Sequence, residues 1–397
     1  MEQIQFLTGD ADTLNELYRQ KPYIPFAQQT IVFLDAFYQT LRKENQSLQA
    51  ADIAALAFWC RRSHLYHLRD DYERKWQGMI RLGRGISFHI VPSNIPVLFA
   101  FSMATALLAG NTVILRLPEK STVQEELILS ALKQVMEQQP EWKKRIVIVR
   151  YGHRKDVTDT FSQMCQVRVI WGGDNSILEI QQSKLQPGTP ELTFADRRSA
   201  AVFSAEYILT TENLTDILRG FYNDTYLNDQ NACSSPSLIY WTGKKDEVYA
   251  ARKKFWTAAF DYIQAHYKVD AHIAVQKWEQ ALYLTAINPT ITMEKCENAV
   301  VLMQCPELTK ELWEQTVPGG FFFESSGETL SGLYPVLTGK CQTLTCVGVN
   351  RNQIALELLE AGVSGVDRIV ENGHALDFSL IWDGKDLMEY LIKIISV

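Results

Sequence analysis

Several patterns that most directly betray a biochemical role are missing from this chain of 397 residues. The seven cysteines, at 60, 165, 233, 296, 305, 341 and 346, are odd in number and include no C-x-x-C pair. That argues against a zinc knuckle, a redox disulfide or a disulfide framework, and reduced thiols in a reducing cytosol are expected. The histidines form no H-E-x-x-H or comparable spacing, so no metal site is expected. No block of Lys or Arg stands out, and the net charge is −7. Nucleic acid and an anionic membrane surface are therefore poor candidates for the main partner. Neither G-x-G-x-x-G nor a phosphate-loop lysine motif occurs, which leaves an ordinary Rossmann fingerprint or a P-loop NTPase unsupported. The opening MEQIQFLTGDAD lacks the basic-then-apolar layout of a signal peptide, and the cytoplasm is the expected location.

One stretch has too little charge rather than too much. From Ile86 to Leu115 there is no Asp, Glu, Lys or Arg, a length that could span a bilayer. Pro92, Ser93, Asn94 and Pro96 interrupt it early, and Gly110-Asn111 interrupts it again. A buried strand–turn–helix–strand unit is expected there, with no membrane span.

What is present reads as a globular α/β chain. The apolar fraction of 46% and charged fraction of 21% disfavour disorder, and the length favours two domains. Residues 1 to about 75 read as helices, from the apolar spacing in QTIVFLDAFYQTLRK and ADIAALAFWCRRSHL. Short apolar strands then alternate with helices: GISFHIVP (85–92), a helix over 95–110, TVILRLP (112–118), RIVIVRY (145–151), VRVIWGG (167–173), and SAAVFS (199–204) as a fifth strand. Thr122 and Glu125 predict a capping box at the start of a helix that Pro140 closes. Alternation of this kind predicts a doubly wound sheet with right-handed crossovers. The loops at 92–96, 116–121 and 171–176 should then face one crevice at the strands' carboxyl ends. A second α/β unit follows, with a helix over 212–227, the loop QNACSSP, a strand over 237–243, a helix over 246–268, and strands at 299–305 and 366–370. The predicted division is 1–205 for a helical entry and cofactor-binding domain, 206–370 for a catalytic domain, and 371–397 for a segment returning to the first domain or to an oligomer interface.

A few residues could carry chemistry. Cys233 lies in a small, polar loop, between Asn231-Ala232 and Ser234-Ser235-Pro236, where a carbonyl could approach sulfur closely. A buried structural cysteine is the competing reading. Asn94, in the turn after the first strand of the sheet, could donate to a developing oxyanion, or could simply cap the following helix. Gly172-Gly173 after VRVIW would let a pyrophosphate approach the backbone, or mark a turn.

Taken in order, these motifs resemble the aldehyde dehydrogenase superfamily. P-S-N-I-P around Asn94 is similar to its oxyanion-hole turn. R-L-P-E, with Arg116 and Glu119, resembles the pair that holds the adenine ribose. W-G-G at 171–173 is similar to the turn beside the nicotinamide half, and Q-N-A-C resembles the loop ending in the catalytic cysteine. Q-N-A-C-S-S-P, FWCRR at 58–62 and G-V-D-R-I-V…A-L-D-F…W-D-G at 365–384 are closer to one branch, the LuxC-type acyl-CoA reductases. Two departures stand out. F-A-D-R-R (194–198) puts Phe194 where hydrolytic relatives have the glutamate that activates water. The superfamily's second glutamate has only Glu324, in FFFESSG, as a candidate.

The resemblance implies an acyl thioester reductase. Cys233 would be acylated by an acyl-CoA or acyl-protein thioester, Asn94 would help hold the oxyanion, and NADPH or NADH would reduce the acyl group to a fatty aldehyde. It also implies a homo-oligomer and leaves room for an acyl-transferring partner enzyme. A cysteine-dependent acyltransferase or thioesterase, or a non-catalytic protein that kept the fold, are the alternatives.

Overall fold

The computed structural model describes residues 4–48 and 50–396. Met1–Gln3 of the opening segment, and the side chain of Cys296, lie outside what is described. The chain divides into two compact units, Met1–Asp196 with Phe378–Val397, and Arg197–Asp377.

The first unit is built on a six-stranded sheet. Its order is Gln5–Thr8, Ile146–Arg150, Thr112–Leu117, Ile86–Ile90, Val167–Trp171, Glu191–Phe194, all parallel except the antiparallel edge Gln5–Thr8. The strands read as unbroken apolar runs because both faces are covered. Along Thr112–Leu117, Val113, Leu115 and Leu117 join a core with the helices Gln28–Leu48, Leu98–Leu108 and Val123–Gln138. Ile114 points the other way, into a core with Leu14, Val157, Phe161 and Ile177. The charge-free stretch is accounted for inside this unit, since every residue of Leu98–Leu108 is buried. Among the described residues, no helix is long and apolar enough to cross a membrane.

The second unit carries a seven-stranded sheet. Its order is Thr292–Cys296, Val301–Gln304, Phe321–Gly327, Pro236–Thr242, Arg198–Ser204, Cys341–Val347, Arg368–Glu371, with only Thr292–Cys296 antiparallel. Phe322 and Trp241 face the helices Leu214–Tyr226 and Lys245–His266. Phe321 and Phe323 face the opposite core, with Ala271–Ile287 and Arg351–Glu360.

Four expectations need correction. Residues 199–204 do not close the first sheet; they lie in the second, between Pro236–Thr242 and Cys341–Val347, so the units part at 196/197 rather than at 205/206. The first sheet ends instead on Glu191–Phe194. The first 75 residues are not all helical, because Gln5–Thr8 supplies that sheet's other edge, and the helix through FWCRR breaks at Arg61. Finally, Thr122 Oγ1 caps its helix by accepting from Glu125 N at 3.1 Å, but the carboxylate of Glu125 pairs with Arg150, so only half of a capping box forms. Residues 378–396 pack within the first unit, where Ile392–Ile395 pairs with Ile80–Gly83.

Candidate active site

In the first unit, Ile86–Ile90, Thr112–Leu117 and Val167–Trp171 are parallel neighbours, so the loops after them leave one edge of the sheet. Asn94 is exposed in the first of these loops. The following helix starts at Leu98 with Val97 as its cap residue and no side-chain cap bond, so Asn94 is not its N-cap. An open cleft runs along this edge, with Ile90, Arg116, Tyr151 and Ser176 in its walls.

Arg116 lines that cleft and donates from Nη2 to the Tyr151 carbonyl at 3.1 Å. Glu119 is exposed three residues further on, its carboxylate laid against Gly152 where any Cβ would collide with it. The two glycines differ. A Cβ on Gly172 would meet only Ser176 at 3.7 Å, which leaves room for a ligand to approach the backbone. Gly173 faces Asp196 instead, whose carboxylate accepts from Asp174 N at 3.2 Å and caps the helix Asp174–Gln181. A carboxylate at that helix start competes with any anion for the same partial positive charge, so of the two glycines only Gly172 has open space beside it.

Phe194 ends the last strand of this sheet, 4% exposed and stacked on Trp171 with ring centroids 3.9 Å apart. Lys385 donates to the Thr193 carbonyl at 2.6 Å and covers the Phe194 ring. An apolar stack capped by Lys385 therefore closes the end of this strand.

Cys233 belongs to the second unit. Its loop joins the end of the helix Leu214–Tyr226 to the amino end of the strand Pro236–Thr242. Of the six cysteines with described side chains, none is in a disulfide, and Cys233 alone is not buried. Burial pushes the thiols of Cys165, Cys305, Cys341 and Cys346 up to about 12, which keeps them protonated and inert. The loop is pinned on both sides of the sulfur. Ser199 Oγ donates to the Cys233 carbonyl at 2.7 Å while accepting from Thr343 N at 3.0 Å. Gln230, buried, accepts through Oε1 from Gly320 N and Phe321 N, and donates through Nε2 to the Pro236 carbonyl.

Glu324 is sealed inside the second unit. It is 1% exposed, on the face of the sheet covered by Lys245–His266. Its carboxylate accepts from Trp241 Nε1 at 2.7 Å, Trp256 Nε1 at 2.9 Å, Arg252 Nη2 at 2.7 Å and Gln304 Nε2 at 2.8 Å. Both oxygens are fully used, so neither can accept from a ribose or relay a proton.

Sequence reasoning passed over His153, Arg154 and Lys155, which also line the cleft of the first unit. A basic run directly after the strand Ile146–Arg150 was the available signal. It also passed over Ser199 and Gln230 as partners of the cysteine loop, and the Q of Q-N-A-C offered the only hint.

A family model described as Acyl-CoA reductase (LuxC) matches residues 42–267, more than half of the chain. The long-chain acyl-protein thioester reductase of Aliivibrio fischeri is 22% identical over 336 residues, covering 79% of this chain and 64% of that one. The chain thus spans less than two thirds of that relative's length. Among solved structures, a lactaldehyde dehydrogenase superposes with a TM-score of 0.67 at 13% identity, over 97% of this chain and 90% of its own. A 1-pyrroline-5-carboxylate dehydrogenase from Thermus, solved with bound NAD, reaches 0.65 at 12% identity, over 98% and 84%. The architecture is the α/β fold of the aldehyde dehydrogenases, and the chain belongs to the LuxC acyl-CoA reductase family.

Proposed function

We propose that this chain is an acyl thioester reductase that works through a cysteine acyl-enzyme and releases a fatty aldehyde. The observation that carries the reading is the setting of Cys233, the one described thiol that is not buried, on a loop pinned by Ser199 and Gln230. The Cys233 thiolate attacks the thioester carbonyl of an acyl-CoA or acylated protein. The Cys233 backbone N–H and the Asn94 amide stabilise the negative oxygen. Collapse expels the donor's thiolate and leaves the acyl group on Cys233, a thioester exchanged for a thioester. Phe194, stacked on Trp171, replaces the glutamate that activates water in hydrolytic relatives, which keeps the acyl-enzyme from hydrolysis. After reduction, the thiohemiacetal on Cys233 expels the aldehyde and regenerates the thiolate. The name of the Aliivibrio fischeri relative supports a long-chain acyl-protein donor, and a thiolate nucleophile suits a reducing cytoplasm.

The first unit would take the dinucleotide, with Arg116 in the wall of its cleft and open space beside Gly172. A reduced nicotinamide bound there supplies the hydride. Glu119 would accept from ribose hydroxyls and so favour NADH, while Arg116 and the His153–Lys155 run would favour the extra phosphate of NADPH. Use of both cofactors is the outcome of that balance, with Glu119 limiting NADPH.

The test is an acyl trap. Labelled acyl-CoA incubated with the wild-type chain should leave a thioester on Cys233, stable until NADPH or NADH is added, with CoA released in a single turnover. Cys233→Ser should trap nothing and lose turnover by several orders of magnitude. Labelling that persists in this variant would sink the assignment, and continuous release of CoA with free acid would show a thioesterase instead.

A further inference from the structure

The cysteine loop contains two consecutive residues in a conformation that side chains disfavour. Asp229 has φ 49° and Gln230 has φ 58°, both in the left-handed region. Each costs on the order of 1–2 kcal/mol for a residue with a Cβ, and such strain persists only where the surroundings impose it. Here the surroundings are a second turn, Gly319-Gly320, at the start of the strand Phe321–Gly327. Both glycines have positive φ, 83° and 93°. A Cβ on the first would strike the Ile273 side chain, and on the second the Ala299 carbonyl, so any other residue would be strained at either place.

The two turns are bonded back to back. Gly319 N donates to the Asp229 carbonyl at 2.8 Å, and Gly320 N donates to Gln230 Oε1 at 2.8 Å. Tyr267 donates to Asp229 Oδ1 at 2.7 Å. Behind the glycine turn stands Lys277, on the helix Ala271–Ile287. It is fully buried, and its ammonium donates to the Gly319 carbonyl and, at 2.7 Å, to the Asn298 carbonyl. A buried ammonium bonded to main-chain carbonyls fixes backbone far more tightly than a neutral donor does.

We propose that Lys277 and Gln230 are positioning residues for the nucleophile, acting through the Gly319-Gly320 turn to hold Cys233 in its attacking geometry. The proposal rests on Cys233 as nucleophile. Lys277 acts from the far side of the glycine turn and touches no substrate.

Two measurements test it separately from the reductase reading. Hydrogen exchange of the amides over 228–235 needs neither donor nor cofactor. Lys277→Met and Gln230→Glu should each speed it at least about tenfold, as expected for local opening below the global transition. Pre-steady-state acylation of Cys233, on folded protein at saturating acyl-CoA, should slow about 10²-fold, the loss that roughly 1 Å of misplacement brings. The dissociation constant for NADPH should hold, and Lys277→Arg should recover most of the acylation rate. If Lys277→Met does not fold, Gln230→Glu decides by the same criteria. Unchanged exchange, or faster exchange with wild-type acylation rates, overturns the proposal. A wild type that never acylates Cys233 overturns the reductase reading and with it this use of the brace, whether or not exchange responds.

Discussion

A glutamate among phenylalanines, as in FFFESSG, reads in one dimension as a charge with a chemical task. In the folded chain Glu324 is instead the acceptor that lets two tryptophans and Arg252 be buried together. Arg252 keeps a second partner in Glu294, but the two indole N–H groups would be left with nothing. Glu324→Ala should therefore lower the unfolding free energy in urea by about 3–5 kcal/mol, the usual loss when one partner of a buried pair is removed. The acylation rate of the folded variant should stay near that of wild type, and a selective loss of turnover would return Glu324 to the reaction. Glu119 is the opposite kind of residue, exposed and without a structural burden beyond its contact with Gly152. Glu119→Ser should lower the KM for NADPH about tenfold, since about 1.4 kcal/mol of relieved repulsion gives that factor. Equal KM values for both cofactors in variant and wild type would mean that Glu119 does not face the ribose. Cys233 was legible as a candidate from its small polar neighbours. What makes the other described thiols inert is burial, which no single neighbour reveals.

At the level of elements, the helix Leu214–Tyr226 aims the cysteine loop, and one side chain ties it down. Asp224 is fully buried and accepts from Gly373 N at 2.7 Å and Ala375 N at 2.8 Å, which fixes the helix to the segment after the last strand of the sheet. Burial raises its carboxyl to about 7, outweighing the two N–H donors, which pull the other way. The unfolded carboxyl titrates near about 3.9. Between those values the folded chain binds more protons than the unfolded chain, so this group's contribution to stability is complete below about pH 4 and lost as pH rises through about 7. Asp224→Asn should flatten the fall in melting temperature over that window relative to wild type. An unchanged slope would mean the carboxyl is ionised throughout. The same scale shows where strand reading stopped. Arg198–Ser204 was visible as a strand, but its assignment to a sheet was not, because SAAVFS would suit either one. Its register with Pro236–Thr242 and Cys341–Val347 decides the matter.

For the molecule as a whole, periodicity and composition were enough to establish an α/β chain with parallel sheets covered on both faces. Apolar runs bounded by turn residues can be satisfied in few other ways. The order of Asn94, the R-L-P-E turn and Cys233 along the chain likewise carried the family resemblance, because each motif is local in sequence. Tertiary structure alone decided which strand joins which sheet, why Glu324 is sealed in rather than reactive, and how Lys277 reaches the cysteine loop through a glycine turn 42 residues further along the chain. Those outcomes depend on contacts between residues far apart in sequence, and the free energy of such a contact is set by the burial and geometry of both partners, which neither segment encodes by itself.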